Sequence, residues 1–439
     1  MASVEWYVIV ISVAASFVVT FLLLPKQIRF MHKINWVGHD IHKSAKPAVA
    51  ESGGISVFAG IVVGLVTIII MMPGHALVTV AALVSICAAA AIGFLDDKYR
   101  LSAWKKIVSV IFAAIPMTAL YLAPMAGFPL PIIIKGDPPV PFAGFLRVSL
   151  LYAIFIPGFL AVLMNVTNML EGYNGQGSGT SIFVTLALIA GAVINNFDNA
   201  LMLALPLLGA LVAFFHYNRY PAKVFPGDIG TLTIGMAFGC IAIVGSMELA
   251  LIVAIIPHIF NAFHVIRSVH GFKESATIKV KDIELIDGDL IKASTGKDAP
   301  LTIPRIVTAR KPLSEPDLVK NIIVLNITPA ALSVLSSALI AATISNDWFN
   351  PVLITCLAIA VGIFVVVSIY FPAIRGLNAI FGIVYAAFMG LLAFIDQFVI
   401  GLGFFNWLVA GVLAMLGLGA WYILSMRYFN RILARKHEA

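Results

Sequence analysis

Charge is scarce in this chain. Only 11% of its 439 residues are Asp, Glu, Lys or Arg, against 61% that are hydrophobic, and the mean hydropathy is +1.02. No soluble globular domain has that balance, whereas a polytopic helical membrane protein does. Cysteine is almost missing. Cys87, Cys240 and Cys356 each lie inside an apolar run, so they form neither a CxxC pair nor a disulfide framework and reveal nothing about redox compartment. No Walker loop, GxGxxG or Ser-His-Asp grouping is present, and neither is an internal repeat or a low-complexity tract. The net charge of +7 comes with no basic run interleaved with aromatics, which excludes nucleic acid as a partner.

What the chain does have is a series of long apolar runs. A span needs about 20 such residues. Candidates lie at roughly 6–24, 54–72, 77–95, 105–124, 148–167, 179–196, 200–217, 230–246, 248–266, 321–344, 350–371, 378–396 and 402–426. The first reads as a transmembrane helix rather than a cleaved leader, because Glu5 precedes it and Pro25, Lys26 and Arg29 follow it. With the N-terminus outside, all but Lys135 and Arg147 of the 28 lysines and arginines fall on the inner side. That bias fixes the expected count and orientation together. The predicted fold is therefore an all-α polytopic membrane protein. About ten core spans occupy 1–344, and about three extra spans occupy 345–439. One larger polar segment, roughly 267–320, carries an alternating stretch, Val280–Leu285, and an Asp287-Gly288 turn, the pattern of a small cytoplasmic β-hairpin. A proline-rich piece between Pro129 and Pro141 is expected on the outer surface as a hairpin or plain linker.

Four polar segments sit at the ends of apolar runs, all on the predicted cytoplasmic side: Ala50–Gly54, Gly93–Lys98, Asn165–Gly175 and Lys223–Asp228. Carboxylates are costly near a bilayer, so several on one face point to a site. Asp96 and Asp97 end a predicted helix, where the dipole disfavours adjacent anions, so they need a cation or a metal. The bland alternative pairs them with Lys98 and Arg100. Asp228 follows Pro226-Gly227 and either caps the next helix or aims a carboxylate and helix amides at a phosphate. Asn165 and Asn168 share a helix face, and Gly172 and Gly175 break the helix around Glu171 and Asn174. Their bland reading is interhelical hydrogen bonding. His258, His264 and His270 recur every six residues and so share no face, which argues against a metal site built from them.

Taken in order, these segments resemble the polyprenyl-phosphate N-acetylhexosamine-1-phosphate transferases, a glycosyltransferase superfamily. The resemblance covers roughly residues 1–344. It rests on Gly93-Phe94-Leu95-Asp96-Asp97, on Asn165-x-x-Asn168 with Gly172-x-Asn174-Gly175, and on Val224-Phe225-Pro226-Gly227-Asp228. Glu51-Ser52 and Tyr173-Asn174-Gly175 look closest to the eukaryotic dolichyl-phosphate GlcNAc-1-phosphate transferase and archaeal branch. Of that branch's His-Arg-Ile-Pro-Arg motif only Ile303-Pro304-Arg305 is retained.

The resemblance implies transfer of a sugar 1-phosphate, GlcNAc-1-phosphate first, from a UDP-sugar to a polyprenyl or dolichyl phosphate, with UMP leaving. It implies Mg²⁺, with Mn²⁺ as a substitute, held by Asp228 and Asn168. Asp96 or Asp97 would orient or deprotonate the acceptor, Lys106 and Arg305 would steady phosphates, and Lys223 would bind substrate. Phe225 would stack on uracil, Asn174 would read its edge beside Gly172, and Glu51 would meet the ribose. The expected setting is the cell membrane, or the endoplasmic reticulum in a eukaryote, with the site facing the cytoplasm and a homodimer left open. A transporter is the alternative class, since it too uses broken helices and intramembrane polar groups. The acidic residues' place at one face rather than at the midplane, and the lack of an inverted repeat, weigh against it.

Overall fold

In lipid an unpaired peptide group has no water to turn to, so apolar runs of this length close their hydrogen bonds as helices. The computed structural model describes residues 6–142, 144–145, 149–271, 278, 280–296, 298–399 and 420–431. Among them ten helices are long and apolar enough to cross a membrane, or eleven when one bent pair counts as a span.

The chain opens with α1 (Trp6–Lys33), a short hairpin of β1 (Val37–His39) and β2 (Ala48–Ala50), α2 (Gly54–Met71) and α3 (Ala76–Tyr99). Next come α4 (Ala103–Ala113), α5 (Ile115–Met125), the two-residue strands β3 (Pro139–Val140) and β4 (Gly144–Phe145), and α6 (Ser149–Leu170). Helices α7 (Gln176–Asn195), α8 (Asp198–Asn218) and α9 (Gly227–Val244) follow, then α10 (Glu248–Ala254) and α11 (Ile256–Ser268). The polar segment holds β5 (Ile283–Ile286), β6 (Leu290–Ala293) and α12 (Ile303–Thr308). Beyond it run α13 (Glu315–Ser345), α14 (Pro351–Tyr370), α15 (Arg375–Val399) and a further helix, α16 (420–431).

Two expected spans are not single rods. The fourth is split into α4 and α5, with Pro116 in the first turn of α5, and the ninth bends by 69° between α10 and α11, with Pro257 in the first turn of α11. Each proline removes a helix N–H and crowds the preceding turn. The first span is longer than expected: α1 continues through Pro25, so Lys26, Arg29 and Lys33 ride on helix rather than loop. The hairpin expected in the polar segment is present as β5–β6, in register Ile283 to Ala293, and the proline-rich piece after α5 leads into the β3–β4 pair. The thirteenth expected span lies outside the described residues except for α16.

Helix α9 is the axis of the bundle. It contacts α2, α3, α6 and α8, and every residue from Ile229 to Val244 is buried. Two crossings against it are tight. A Cβ on Gly93 would lie 2.4 Å from the Ile229 Cα, and one on Gly54 would lie 2.2 Å from the Gly230 nitrogen. Only glycine allows backbones to approach so closely. The added C-terminal helices pack elsewhere: α14 and α15 lie against α13, and Phe381, Trp421 and Phe429 join a core with Phe260 of α11 and Ile322 of α13.

Candidate functional site

Four helix ends, those of α3 and α6 and the starts of α4 and α9, meet where the sequence places its acidic segments. Helix α3 ends at Arg100, whose left-handed backbone returns its N–H to the Asp96 carbonyl at 2.8 Å. The adjacent aspartates then face different partners. Asp97 accepts the Asp228 N–H at 2.6 Å through Oδ1; its Oδ2 accepts the Ser52 hydroxyl at 2.8 Å and the Ile229 N–H at 3.5 Å. A carboxylate at the C-terminus of one helix is thus neutralised by the N-terminus of another, where the dipole is favourable. Gly227 makes room: its φ is +68°, and a Cβ there would sit 2.4 Å from the Asp97 Oδ2.

Asp96 turns toward α4. Its Oδ1 accepts the Leu101 N–H at 2.8 Å, and its Oδ2 lies 2.5 Å from the Lys106 Nζ. The same ammonium donates to the Asp228 Oδ2 at 3.0 Å, while the Asn168 amide donates to the Asp228 Oδ1 at 2.6 Å. Asp96, Lys106, Asn168 and Asp228, from α3, α4, α6 and α9, therefore form one hydrogen-bonded cluster beside Asp97. Asp96 is buried, whereas the Asp228 side chain keeps 30% of its surface exposed, so the cluster opens to solvent at Asp228. Two carboxylates, Asp96 and Asp228, share one ammonium, which leaves negative charge in excess. Hard oxygen donors in excess of cations suit a divalent ion such as magnesium.

The remaining segments build a rim. The chain after β2 lies beside the approach to α9: Phe225 donates its N–H to the Ala50 carbonyl at 2.8 Å, and Gly53 and Gly54 donate to the Phe225 and Pro226 carbonyls at 2.8 and 2.9 Å. Glu51 and Phe225 become neighbours in this way, both half-buried, with the Glu51 carboxylate lying over Gly38. Lys223 is exposed and its ammonium sits 5.9 Å from the Tyr217 ring centre. Gly172 is exposed in the loop after α6.

Asn174 is buried in a polar knot. Its N–H donates to the Glu315 Oε1 at 2.9 Å and its Nδ2 to the Asp40 Oδ2 at 3.0 Å. Lys43 pairs with Asp40, and the His42 ring stacks on Tyr173 with centroids 4.2 Å apart. Burial alone would raise the Asp40 carboxyl, but bonds from Lys43 and Asn174 outweigh it and hold the group below the usual carboxylate range. Burial pushes the His42 imidazole down, which keeps it neutral near pH 7. Donor atoms of Asp40, His42 and Glu315 lie within 4.8 Å of one another, yet the Lys43 ammonium already bonds the Asp40 carboxylate. Next to this knot, burial pushes the half-buried Glu171 carboxyl up to about 8.

Arg305 is not brought to the cluster. It is 3% exposed, and its guanidinium donates to the carbonyls of Ser294, Gly296, Ala299 and Pro300 while lying 5.1 Å from the Phe429 ring centre. Asn165 donates to the Ala161 carbonyl of its own helix. His258 and His264 are buried in α11, with the His264 ring 4.3 Å from that of Phe260. Asp40, His42, Lys43 and Glu315 lie in none of the four polar segments that the sequence singles out. The only available signal was two charges and a histidine within four residues of a short loop.

The glycosyl transferase family 4 model matches residues 78–246, which span α3 to α9 and hold Asp96, Asp97, Lys106, Asn168, Asn174, Phe225 and Asp228. A putative UDP-N-acetylglucosamine–dolichyl-phosphate N-acetylglucosaminephosphotransferase of Sulfolobus acidocaldarius is 34% identical over 281 residues, covering 62% of this chain and 82% of that protein. A putative glycosyltransferase of Methanocaldococcus jannaschii is 25% identical over 333 residues, covering 73% and 95%. A phospho-N-acetylmuramoyl-pentapeptide-transferase of Streptococcus mutans is 29% identical over 279 residues, covering 59% and 78%. With the clustered residues inside the matched region and relatives aligned over most of their own length, this multi-pass membrane chain belongs to glycosyl transferase family 4.

Proposed function

We propose that the chain transfers a sugar 1-phosphate, with GlcNAc-1-phosphate as first choice, from a UDP-sugar to a polyprenyl phosphate such as dolichyl phosphate. One observation carries the reading. Four helices deliver Asp96, Lys106, Asn168 and Asp228 into a single half-open cluster at one end of the bundle. The archaeal relative's name supplies the donor and acceptor class.

In this reading an oxygen of the acceptor phosphate attacks the donor's sugar-bearing phosphorus. The bond from that phosphorus to the oxygen bridging it to UMP breaks, UMP leaves, and a lipid diphosphate sugar remains. With a dianionic acceptor the step balances without a proton. A monoanionic acceptor must lose one, and Asp96 beside Lys106 is the group placed to take it. A divalent ion, when bound, offsets charge on the diphosphate oxygens. The Asp228 carboxylate and the Asn168 amide oxygen are the donors that would hold it, and the excess of carboxylates over cations in the cluster fits such an ion. Lys106 exchanges a carboxylate for a phosphate oxygen, because an ammonium on a flexible stem binds as a movable point charge. Asp97, committed to Ser52 and the start of α9, holds the cluster's geometry. Phe225 offers a ring for uracil, Glu51 lies beside it for the ribose, and Asn174, in the loop against α8, meets the edge of the base. Lys223 steadies a phosphate from the rim. The cytoplasm is the compartment assigned to this end by the distribution of lysine and arginine.

The test is UMP release from UDP-GlcNAc by detergent-purified protein supplied with dolichyl phosphate and magnesium, repeated over a panel of UDP-sugars. Lipid-dependent UMP release with a matching lipid diphosphate sugar supports the reading. No release with any donor overturns it and returns the transporter class to consideration.

A further inference from the structure

Asn174 is gripped from two directions by carboxylates far away in sequence. Glu315 on α13 takes its backbone N–H, and Asp40 between β1 and β2 takes its Nδ2. The two ends of an asparagine amide have opposite chemistry: one carbonyl acceptor and one NH₂ donor. An unrestrained amide turns by half a rotation and offers either end. Here it does not. Asp40 is held ionised by Lys43, and an ionised carboxylate only accepts. Turning the amide would set its carbonyl oxygen against that carboxylate in a buried position, leaving two acceptors without a donor. The Asp40 contact therefore dictates which way Asn174 faces.

Uracil and cytosine differ in this respect at positions 3 and 4. Uracil presents an N–H and then a carbonyl, while cytosine presents a bare ring nitrogen and then an amino group. An asparagine free to rotate pairs with either edge, whereas one locked in orientation pairs with one. Resting on the proposal that Asn174 meets the donor's base, we infer that Asp40 is a specificity-determining positioning residue. By pinning the NH₂ end of Asn174 it points the carbonyl oxygen at a base N–H, which selects uridine over cytidine nucleotides. Lys43 serves by keeping Asp40 anionic, and Glu315 by fixing the backbone from which the amide projects.

The experiment is titration calorimetry of UMP and of CMP on the full-length protein in detergent. Wild type is expected to prefer UMP by about 100-fold or more, as sites built around a specific hydrogen bond do. Asp40→Leu removes the acceptor and is expected to bring the two affinities within about tenfold, chiefly by weakening UMP. In Asp40→Asn the Lys43 ammonium, which bonds the same oxygen as Asn174 does, holds the new carbonyl oxygen in that place, so most of the preference is expected to be restored. Should Asp40→Leu not yield a monodisperse protein, Asp40→Ser carries the same expectation, because a hydroxyl both donates and accepts and does not lock the amide. A role limited to folding would reduce the binding-competent fraction and leave the UMP-to-CMP ratio untouched. That outcome, or a wild type that binds the two equally, overturns the inference. If wild type prefers UMP and Asp40→Leu keeps the full preference, this inference falls while the transferase reading stands. If wild type binds neither nucleotide and releases no UMP, the transferase reading falls as well.

Discussion

Asp97 ends one helix and begins another: from the last turn of α3 its Oδ1 accepts the Asp228 N–H at 2.6 Å, at the start of α9. The neighbouring Asp96 lies one residue earlier and pairs instead with Lys106. Two adjacent carboxylates of identical chemistry thus have separate duties. One accepts the amides that start α9 and the other pairs with the Lys106 ammonium.

Asp97→Ala is expected to remove the acceptor for the start of α9 and for Ser52. Leaving such donors unmet in a largely dry place costs about 1–3 kcal/mol. The melting temperature in detergent should fall, and Asp97→Asn should fall less because its carbonyl oxygen still accepts. An unchanged melting temperature for Asp97→Ala would refute the bracing role.

Asp228→Ala leaves Lys106 paired with Asp96 and the backbone N–H of residue 228 still donating to Asp97. Insertion and folding should survive while UMP release drops by about 10³-fold or more, the scale seen when a key charged group of a preorganised site is lost. The check is turnover against magnesium concentration. Near-full activity at limiting magnesium would remove Asp228 from the metal site.

Glu171 supplies a pH test. Burial raises its carboxyl to about 8 from an ordinary 4.5, so the folded protein holds the proton more tightly than the unfolded chain does. The stabilising contribution is complete below about pH 4.5 and is lost as pH climbs through about 8. Glu171→Gln, which mimics the protonated form, should leave the melting temperature unchanged at pH 5 and raise it by about 2 °C or more at pH 8.5. Equal shifts at the two values would contradict the assignment.

Arg305 is placed to organise the polar segment. Arg305→Lys keeps the charge but cannot reproduce a fork that reaches four carbonyls. The loop at 294–300 should become more susceptible to limited proteolysis, and donor affinity should change only through that loosening. Intact protease resistance with a large rise in KM would instead assign Arg305 directly to phosphate.

Much of this architecture was readable because hydropathy and helix length are local properties. The runs that became α2, α3, α7, α8 and α9 declared themselves, and so did the acidic residues at their ends. The breaks at Pro116 and Pro257 were marked by residue type, but the 69° bend was not, since neighbouring packing decides whether a proline kinks a span or ends it. The Asp40–Asn174 bond joins residues 134 apart and the Asn174–Glu315 bond residues 141 apart. No periodicity reports contacts of that kind. Arg305 shows the same limit from the other side, because a sequence names a guanidinium without saying that backbone carbonyls have already taken its donors.

The close fit around α9 has one more result. Asp228 is anchored to the most enclosed of the spans among the described residues, clamped where Gly54 and Gly93 admit neighbouring backbones. Its partner Lys106 hangs from an eleven-residue helix that breaks before α5. In the proposed reaction an incoming polyanion would part this ion pair, with the carboxylate as the fixed jaw of the vice and the travel left to the lysine arm.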